Sequence, residues 1–337
     1  MIFFRSDYSL GAHPEVLKAI IKTNEEHADG YGEDSFCRNA ADMIRGHIKN
    51  PDADVHFFVG GTTANFTSIA AFLRPHEAAV AARSSHIYTH ETGAVEATGH
   101  RIIVFETRDG KIAPEHIKKA LSEHEDEHTV KPKLVYISDS TEIGTIYTKA
   151  ELSALSEACR KHGLYLYLDG ARLGCALTAR GNDLTLPDIA SLVDAFYIGG
   201  TKNGALFGEA LVIITPELKP DFRYIMKQQC GLLAKGRLLG VQFEALFKDG
   251  LYFRLAGHSN ALANKLRDGI TAKGYGFLVD SPTNQIFPIL PKALVEKLEE
   301  KYFFYRWQPV GEDMICIRLV TSFGSAEEDV ASFLSDI

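Results

Sequence analysis

The chain has 337 residues, a formal net charge of −8, 45% hydrophobic and 24% charged residues. That length suggests two domains, or one large domain with an appendage, and it can bury a core without staples. The composition excludes collagen-like, coiled-coil and disordered chains, and the acidic balance offers no basic field for nucleic acid. The five cysteines are scattered, with no C-x-x-C pair. They predict free thiols in the cytoplasm rather than a disulfide framework or a zinc knuckle. The N-terminal MIFFRSDYSLGAH lacks the layout of a secretory signal. No apolar run approaches the ~20 residues of a membrane span.

In chain order, residues 14–27 place Val16, Leu17, Ile20 and Ile21 on one helical face. His56 to Val59 reads as a strand, followed by Gly60-Gly-Thr-Thr-Ala-Asn65 and a helix carrying Phe66, Ile69, Ala70 and Leu73. Further strands are expected at Ile102–Phe105, Leu134–Ser138, Leu164–Leu168, Ala195–Ile198 and Ala210–Thr215. Thr148 to Glu151 is a capping-box pattern opening a helix that stops at Gly163. Strands without polar alternation suit a mostly parallel sheet covered by helices, an α/β layer fold. From about residue 247 the texture changes. A long helix (Leu251 to Ala272) precedes strands near 275–280, 285–290, 302–307 and 314–320 and a last helix near 326–335. The expected organisation is an N-terminal arm (1–27), a large α/β domain (28–246) and a smaller α+β domain (247–337). The arm is expected to pack on the small domain or in the cleft between the two.

P-loop, G-x-G-x-x-G and G-x-S-x-G motifs are absent, which weakens kinase, dehydrogenase and α/β-hydrolase readings. What remains is a set of residues at strand ends. Gly60-Gly61-Thr62-Thr63 joins a strand to a helix, where free N–H groups attract an anion. Asp169 closes a wholly apolar strand, the place where α/β sheets meet ligands. A carboxylate buried there needs a cationic partner, either Arg172 or a protonated pyridine nitrogen. Lys202 follows another strand in a glycine-rich turn, and its titratable amine suits Schiff-base chemistry. Taken singly, these are also an ordinary capped turn, an internal Asp–Arg pair and an exposed loop lysine. Together they are what pyridoxal phosphate requires: a phosphate cradle, an acid for the ring nitrogen and a lysine for the aldehyde.

The chain resembles the threonine aldolase and aromatic amino acid β-eliminating lyase family of fold type I pyridoxal-phosphate enzymes. The stretches that carry the likeness are Phe4–Asp7, Tyr31–Asp34, Gly61-Thr62 with Asn65, and His86-Ile-Tyr with Glu91-Thr-Gly93. They continue with Leu168-Asp-Gly-Ala-Arg-Leu173, Thr201-Lys202 and Arg318-Leu-Val-Thr321. The resemblance implies a central mostly parallel sheet flanked by helices, with a smaller C-terminal α+β domain. It implies pyridoxal phosphate held by Lys202 through a Schiff base, with Asp169 on the ring nitrogen and Arg172 on the ring hydroxyl. His86 would stack on the ring and assist proton transfer, and Gly61, Thr62 and Thr63 would hold the phosphate. Ser6 and Arg318 would take the substrate carboxylate. A homodimer or homotetramer with shared active sites is implied; Lys227 stands where the commoner family form has Met-Arg-Gln and is expected to substitute as a ligand of a neighbour's phosphate.

The implied reaction is cleavage of the Cα–Cβ bond of a β-hydroxy amino acid to glycine and an aldehyde. β-Elimination and transamination share the cofactor and remain open. Relatives often carry a histidine after the central strand where this chain has Thr141, so Thr141 is expected to face the substrate's β-substituent and to discriminate weakly between its stereoisomers. Two further readings compete. His86, His90 and Glu91 give H-x-x-x-H-E, which is not the zincin order, so no metal is expected. The other is a non-catalytic protein of the same fold.

Overall fold

The apolar runs become strands, and their number and order set the position of every candidate residue. The computed structural model describes residues 1–337. Its strands are β1 (Ile2–Phe3), β2 (Asp54–Phe58), β3 (Glu77–Ala82), β4 (Ile102–Phe105), β5 (Lys131–Ser138), β6 (Tyr165–Asp169) and β7 (Ala195–Gly199). They continue with β8 (Glu209–Ile213), β9 (Gln285–Ile286), β10 (Ile289–Pro291), β11 (Tyr302–Phe303), β12 (Tyr305–Val310) and β13 (Met314–Val320). The central sheet runs β2-β8-β7-β6-β5-β3-β4. Pairing from β4 through β7 is parallel, and β8 alone is antiparallel to both neighbours.

Strands β3, β7 and β8 are buried at every position because helices cover both faces. On one face Val80, Ile137, Leu168 and Ile198 join a core with Ile44 and Leu155, from the helices Ser35–Ile48 and Lys149–His162. On the other face Ala79, Tyr136, Tyr167 and Tyr197 join Ile69 and Phe222, from the helices Gly61–Phe72 and Phe222–Gln228. The alternation of side chains along each strand assigns neighbouring residues to opposite cores. The Thr148–Glu151 capping box forms, and Gly163 ends that helix with φ +66°, a conformation that favours glycine.

A second sheet, β10-β13-β12 with β9 on β13, is antiparallel. β1 pairs in parallel with β11, and Phe4 enters the core beneath, with Leu266, Ile286, Tyr302 and Phe333. The helix Leu251–Ala272 serves both cores. Leu251, Tyr252 and Leu255 pack into the large one, and Leu262, Leu266 and Ile270 into the small one.

Several elements differ from the sequence reading. The first helix stops at Thr23, and Leu17 and Ile21 on its expected apolar face are exposed; Val16 alone is fully buried. No strand forms at 275–280, where Gly274 and Gly276 flank Tyr275; a single bridge joins Phe277 to Pro288. Strand β3 and the helices Ser35–Ile48 and Lys292–Glu299 escaped the sequence analysis. β3 is alanine-rich, a composition poor in strand signal.

Candidate active site

The carboxyl ends of β6 and β7 lie side by side, and the first of them delivers Asp169. This residue is 3% exposed and its carboxylate accepts four hydrogen bonds. The Ala171 amide (2.9 Å) and the Tyr197 hydroxyl (2.5 Å) donate to Oδ1. The Asn65 amide (3.0 Å) and the Tyr136 hydroxyl donate to Oδ2. Burial pushes the Asp169 carboxyl up, but the nearby His86 and these hydrogen bonds outweigh it and hold the group below the usual carboxylate range. The turn that follows must be glycine, since a Cβ at Gly170 would lie 1.9 Å from the Tyr197 carbonyl oxygen.

Lys202 stands in the turn after β7, bordering the cleft. Burial, with the Arg172 charge adding to it, pushes its amine below the usual lysine value, against the pull of Asp7, Asp169 and Glu209. A depressed amine is more often neutral and so nucleophilic. Glu209, at the start of β8, accepts from the Gly200 amide at 2.9 Å, and burial raises its carboxyl to about 7.

Arg172 does not pair with Asp169. It is held by Asp7 of the N-terminal segment, with Nε to Oδ2 at 2.6 Å and Nη2 to Oδ1 at 3.0 Å. Asp7 also accepts from Asn284 at 2.9 Å.

His86 opens the short helix His86–Thr89, and its Nδ1 lies 2.7 Å from Glu91 Oε1. The Glu91 carboxylate is buried, and the same oxygen accepts from Asn65 Nδ2 at 2.8 Å. Asn65 therefore bridges Glu91 and Asp169. It lies on the helix Gly61–Phe72, whose first turn has no side-chain cap. The first intrahelical bond is Ala64 N–H to Gly60 C=O (3.1 Å), so the N–H groups of Gly61, Thr62 and Thr63 lie ahead of the ladder.

Arg318 on β13 closes the other side. Its Nη2 donates to the Arg5 carbonyl at 3.3 Å, next to Ser6, while its Nε is buried without a partner. Its guanidinium lies 4.8 Å from the Tyr305 ring centroid and 5.5 Å from that of Trp307. His86, Arg172, Lys202 and Arg318 line one cleft of about 550 Å³, together with Tyr8, Glu142, Tyr305 and Trp307.

Of the other expected site residues, Ser6, Gly61, Thr62, Thr63 and Asp169 are not among those lining this cleft, and Thr141 and Lys227 make contacts of another kind. Thr141 is 0% exposed and does not line the cleft. Its hydroxyl lies 2.7 Å from that of Thr145, and a Cβ on Gly110 would come within 3.2 Å of it, so the side chain is turned inward. The cleft receives the next residue, Glu142, whose Oε1 accepts from the His86 amide (2.9 Å) and the Ser138 hydroxyl (2.7 Å). Lys227 is exposed and lies 4.4 Å from the Tyr31 ring centroid. It borders a separate surface hollow with Arg38 and Arg223.

Asp7, Asn65 and Glu91 belong to the motif strings quoted above, but their partners could not be read from sequence. Glu142, Glu209, Tyr136 and Tyr197 carry no local signal beyond a polar atom in or beside an apolar strand. No cluster of three or more His, Cys, Asp or Glu side chains is placed to hold a metal ion.

Residues 4–293 match the family model described as β-eliminating lyase. The low specificity L-threonine aldolase of Pseudomonas aeruginosa is 31% identical over 99% of this chain and 96% of its own length. A solved structure titled as the threonine aldolase of Leishmania major superposes with a TM-score of 0.98 at 47% identity, covering 99% of this chain and 98% of that one. A Thermus thermophilus aspartate aminotransferase shares the fold, with a TM-score of 0.71 at 17% identity over 100% of this chain and 90% of its own. The architecture is thus that of the fold type I pyridoxal-phosphate enzymes, and with the match running through every strand of the large sheet, the chain belongs to the β-eliminating lyase family.

Proposed function

We propose that the protein is a pyridoxal-phosphate-dependent aldolase that cleaves threonine, or a close β-hydroxy amino acid, at the Cα–Cβ bond to give glycine and an aldehyde. The observation that carries this reading is that His86, Arg172, Lys202 and Arg318 line one cleft, with Asp169 tied to the His86 partner Glu91 through Asn65, in a chain so similar to threonine aldolases.

The residues fit the cofactor on three counts. The uncapped first turn at Gly61, Thr62 and Thr63 offers amides to a phosphate. Asp169 is an anion held low, suited to a pyridinium N–H. Lys202 is a desolvated amine with its value depressed, suited to covalent attachment at Nζ. When bound, pyridoxal phosphate supplies the electron sink for a negative charge left on Cα. Asp169 would hold the ring nitrogen protonated, and His86, oriented by Glu91, would lie against the ring. Arg172, anchored on Asp7, would hold the ring hydroxyl. Arg318, with a free Nε, takes the substrate carboxylate as a planar fork, with Ser6 beside it.

Ile21 (75% exposed), Tyr224 (78%) and Leu10 (55%) are large apolar groups in water, suited to burial in a homodimer or homotetramer. Lys227, exposed on the same helix as Tyr224, would then reach a neighbour's phosphate. The five free cysteines suit the cytoplasm. No helix is long and apolar enough to cross a membrane.

Product analysis is the test. Purified protein supplied with pyridoxal phosphate and threonine should yield glycine and acetaldehyde in equal amounts. Ammonia with a keto acid, and no glycine, would move the protein to the β-elimination reading.

A further inference from the structure

We infer that Glu142 is the base that takes the proton from the substrate's β-hydroxyl, an inference that rests on the aldolase reading above. Among the residues lining the cleft, Arg172, Lys202, Arg306 and Arg318 are cationic, and Glu142 is the one carboxylate. Two donors, the His86 amide and the Ser138 hydroxyl, fix it through Oε1, which leaves Oε2 available to a ligand. His86, with Nδ1 on Glu91, and His90 also border the cleft, but the His86 ring is assigned above to the cofactor's face, and neither imidazole is an anionic acceptor as Glu142 is.

Glu142 follows Thr141, whose side chain is held inward by Thr145, and of the turn residues 139–145 it is Glu142 that lines the cleft. Burial, with the Asp169 charge adding to it against the Ser138 hydrogen bond, raises that carboxyl above the usual range, which strengthens it as a proton acceptor.

The β-hydroxyl O–H proton passes to Glu142, and the O–H electron pair becomes the π bond of the aldehyde carbonyl. The Cα–Cβ bond breaks, its pair stays on Cα, and the aldehyde leaves. A proton from water then completes glycine at Cα, and Glu142 returns its own proton to water. No oxidant or reductant is needed.

The test uses the holoenzyme and the variant Glu142→Gln, which keeps the acceptor for the His86 amide. Two reactions are compared. Threonine cleavage needs a base at the β-hydroxyl; exchange of the glycine α-proton in heavy water does not. Cleavage should fall by about 100-fold or more. Glycine exchange, and the absorbance change on adding glycine, should match the wild type. The acidic limb of the kcat/KM profile for threonine should disappear in the variant. Wild-type cleavage by Glu142→Gln, or an equal loss of both reactions, would overturn the inference. A wild-type enzyme that neither responds to glycine nor cleaves threonine would overturn the aldolase reading, and this inference with it.

Discussion

Arg172 and Asp7 lie 165 positions apart and meet in two parallel hydrogen bonds, 2.6 Å and 3.0 Å long. The side chains are 12% and 1% exposed, so the pair is a buried ion pair that ties the N-terminal segment to the end of β6. Removing one charge strands the other. Asp7→Asn should therefore lower stability by about 3–5 kcal/mol. Denaturant unfolding with an unchanged m-value would establish it, and a loss below about 1 kcal/mol would mean that the pair is solvated.

Asp169→Asn keeps the shape of the group that Tyr136, Tyr197, Asn65 and the Ala171 amide surround. The charge facing the cofactor ring is gone. Because the charge acts on the transition state, kcat should fall by several orders of magnitude, further than cofactor affinity does. Steady-state kinetics with cofactor titration separates the two, and a near-wild-type kcat would refute the role.

His56 gives a pH prediction. It packs 4.8 Å from the Phe222 ring centroid with Nε2 buried and unpartnered. Burial first, then Arg223 and Arg45, depress its imidazole to about 4 from the usual 6.5. Between those values the unfolded chain binds the proton and the folded one does not. This contribution to stability is therefore intact above pH 6.5 and is lost as the pH falls toward 4, on the order of 3 kcal/mol in all. Melting curves across that window should show the slope in the native protein and a flatter profile in His56→Phe.

Thr141→Val should test which residue of the turn meets the substrate. The buried hydroxyl pair with Thr145 (2.7 Å) is lost, at a cost of about 1–3 kcal/mol. The ratio of kcat/KM for threonine and allo-threonine should not change, because Thr141 does not reach the cleft. A changed ratio would place Thr141 back in the substrate pocket.

The sequence made the sheet and the strand-end positions of Asp169 and Lys202 legible, because both follow apolar runs within a few residues of chain. It did not reveal what surrounds them. Tyr136 reaches Asp169 through the register that sets Tyr136 opposite Tyr167 and Ser138 opposite Asp169, a relation between distant strands. Glu91 and Asp7 were visible as motif letters, but their partners depend on tertiary packing. The turn after β5 shows the limit most sharply. Alignment by type placed the substrate group at Thr141, whereas the backbone turns that side chain inward and sends Glu142 to the cleft. Helical periodicity likewise assigned Leu17 and Ile21 a buried face, yet in the single chain both are exposed.

The central claim is that Lys202 carries the cofactor, and borohydride trapping tests it most directly. The protein is loaded with pyridoxal phosphate, reduced, digested and mapped by mass spectrometry. The account predicts a pyridoxyl group on the peptide containing Lys202, and a protein that loses its visible absorbance band in Lys202→Ala. Labelling of a different lysine, or normal turnover by Lys202→Ala, would contradict it.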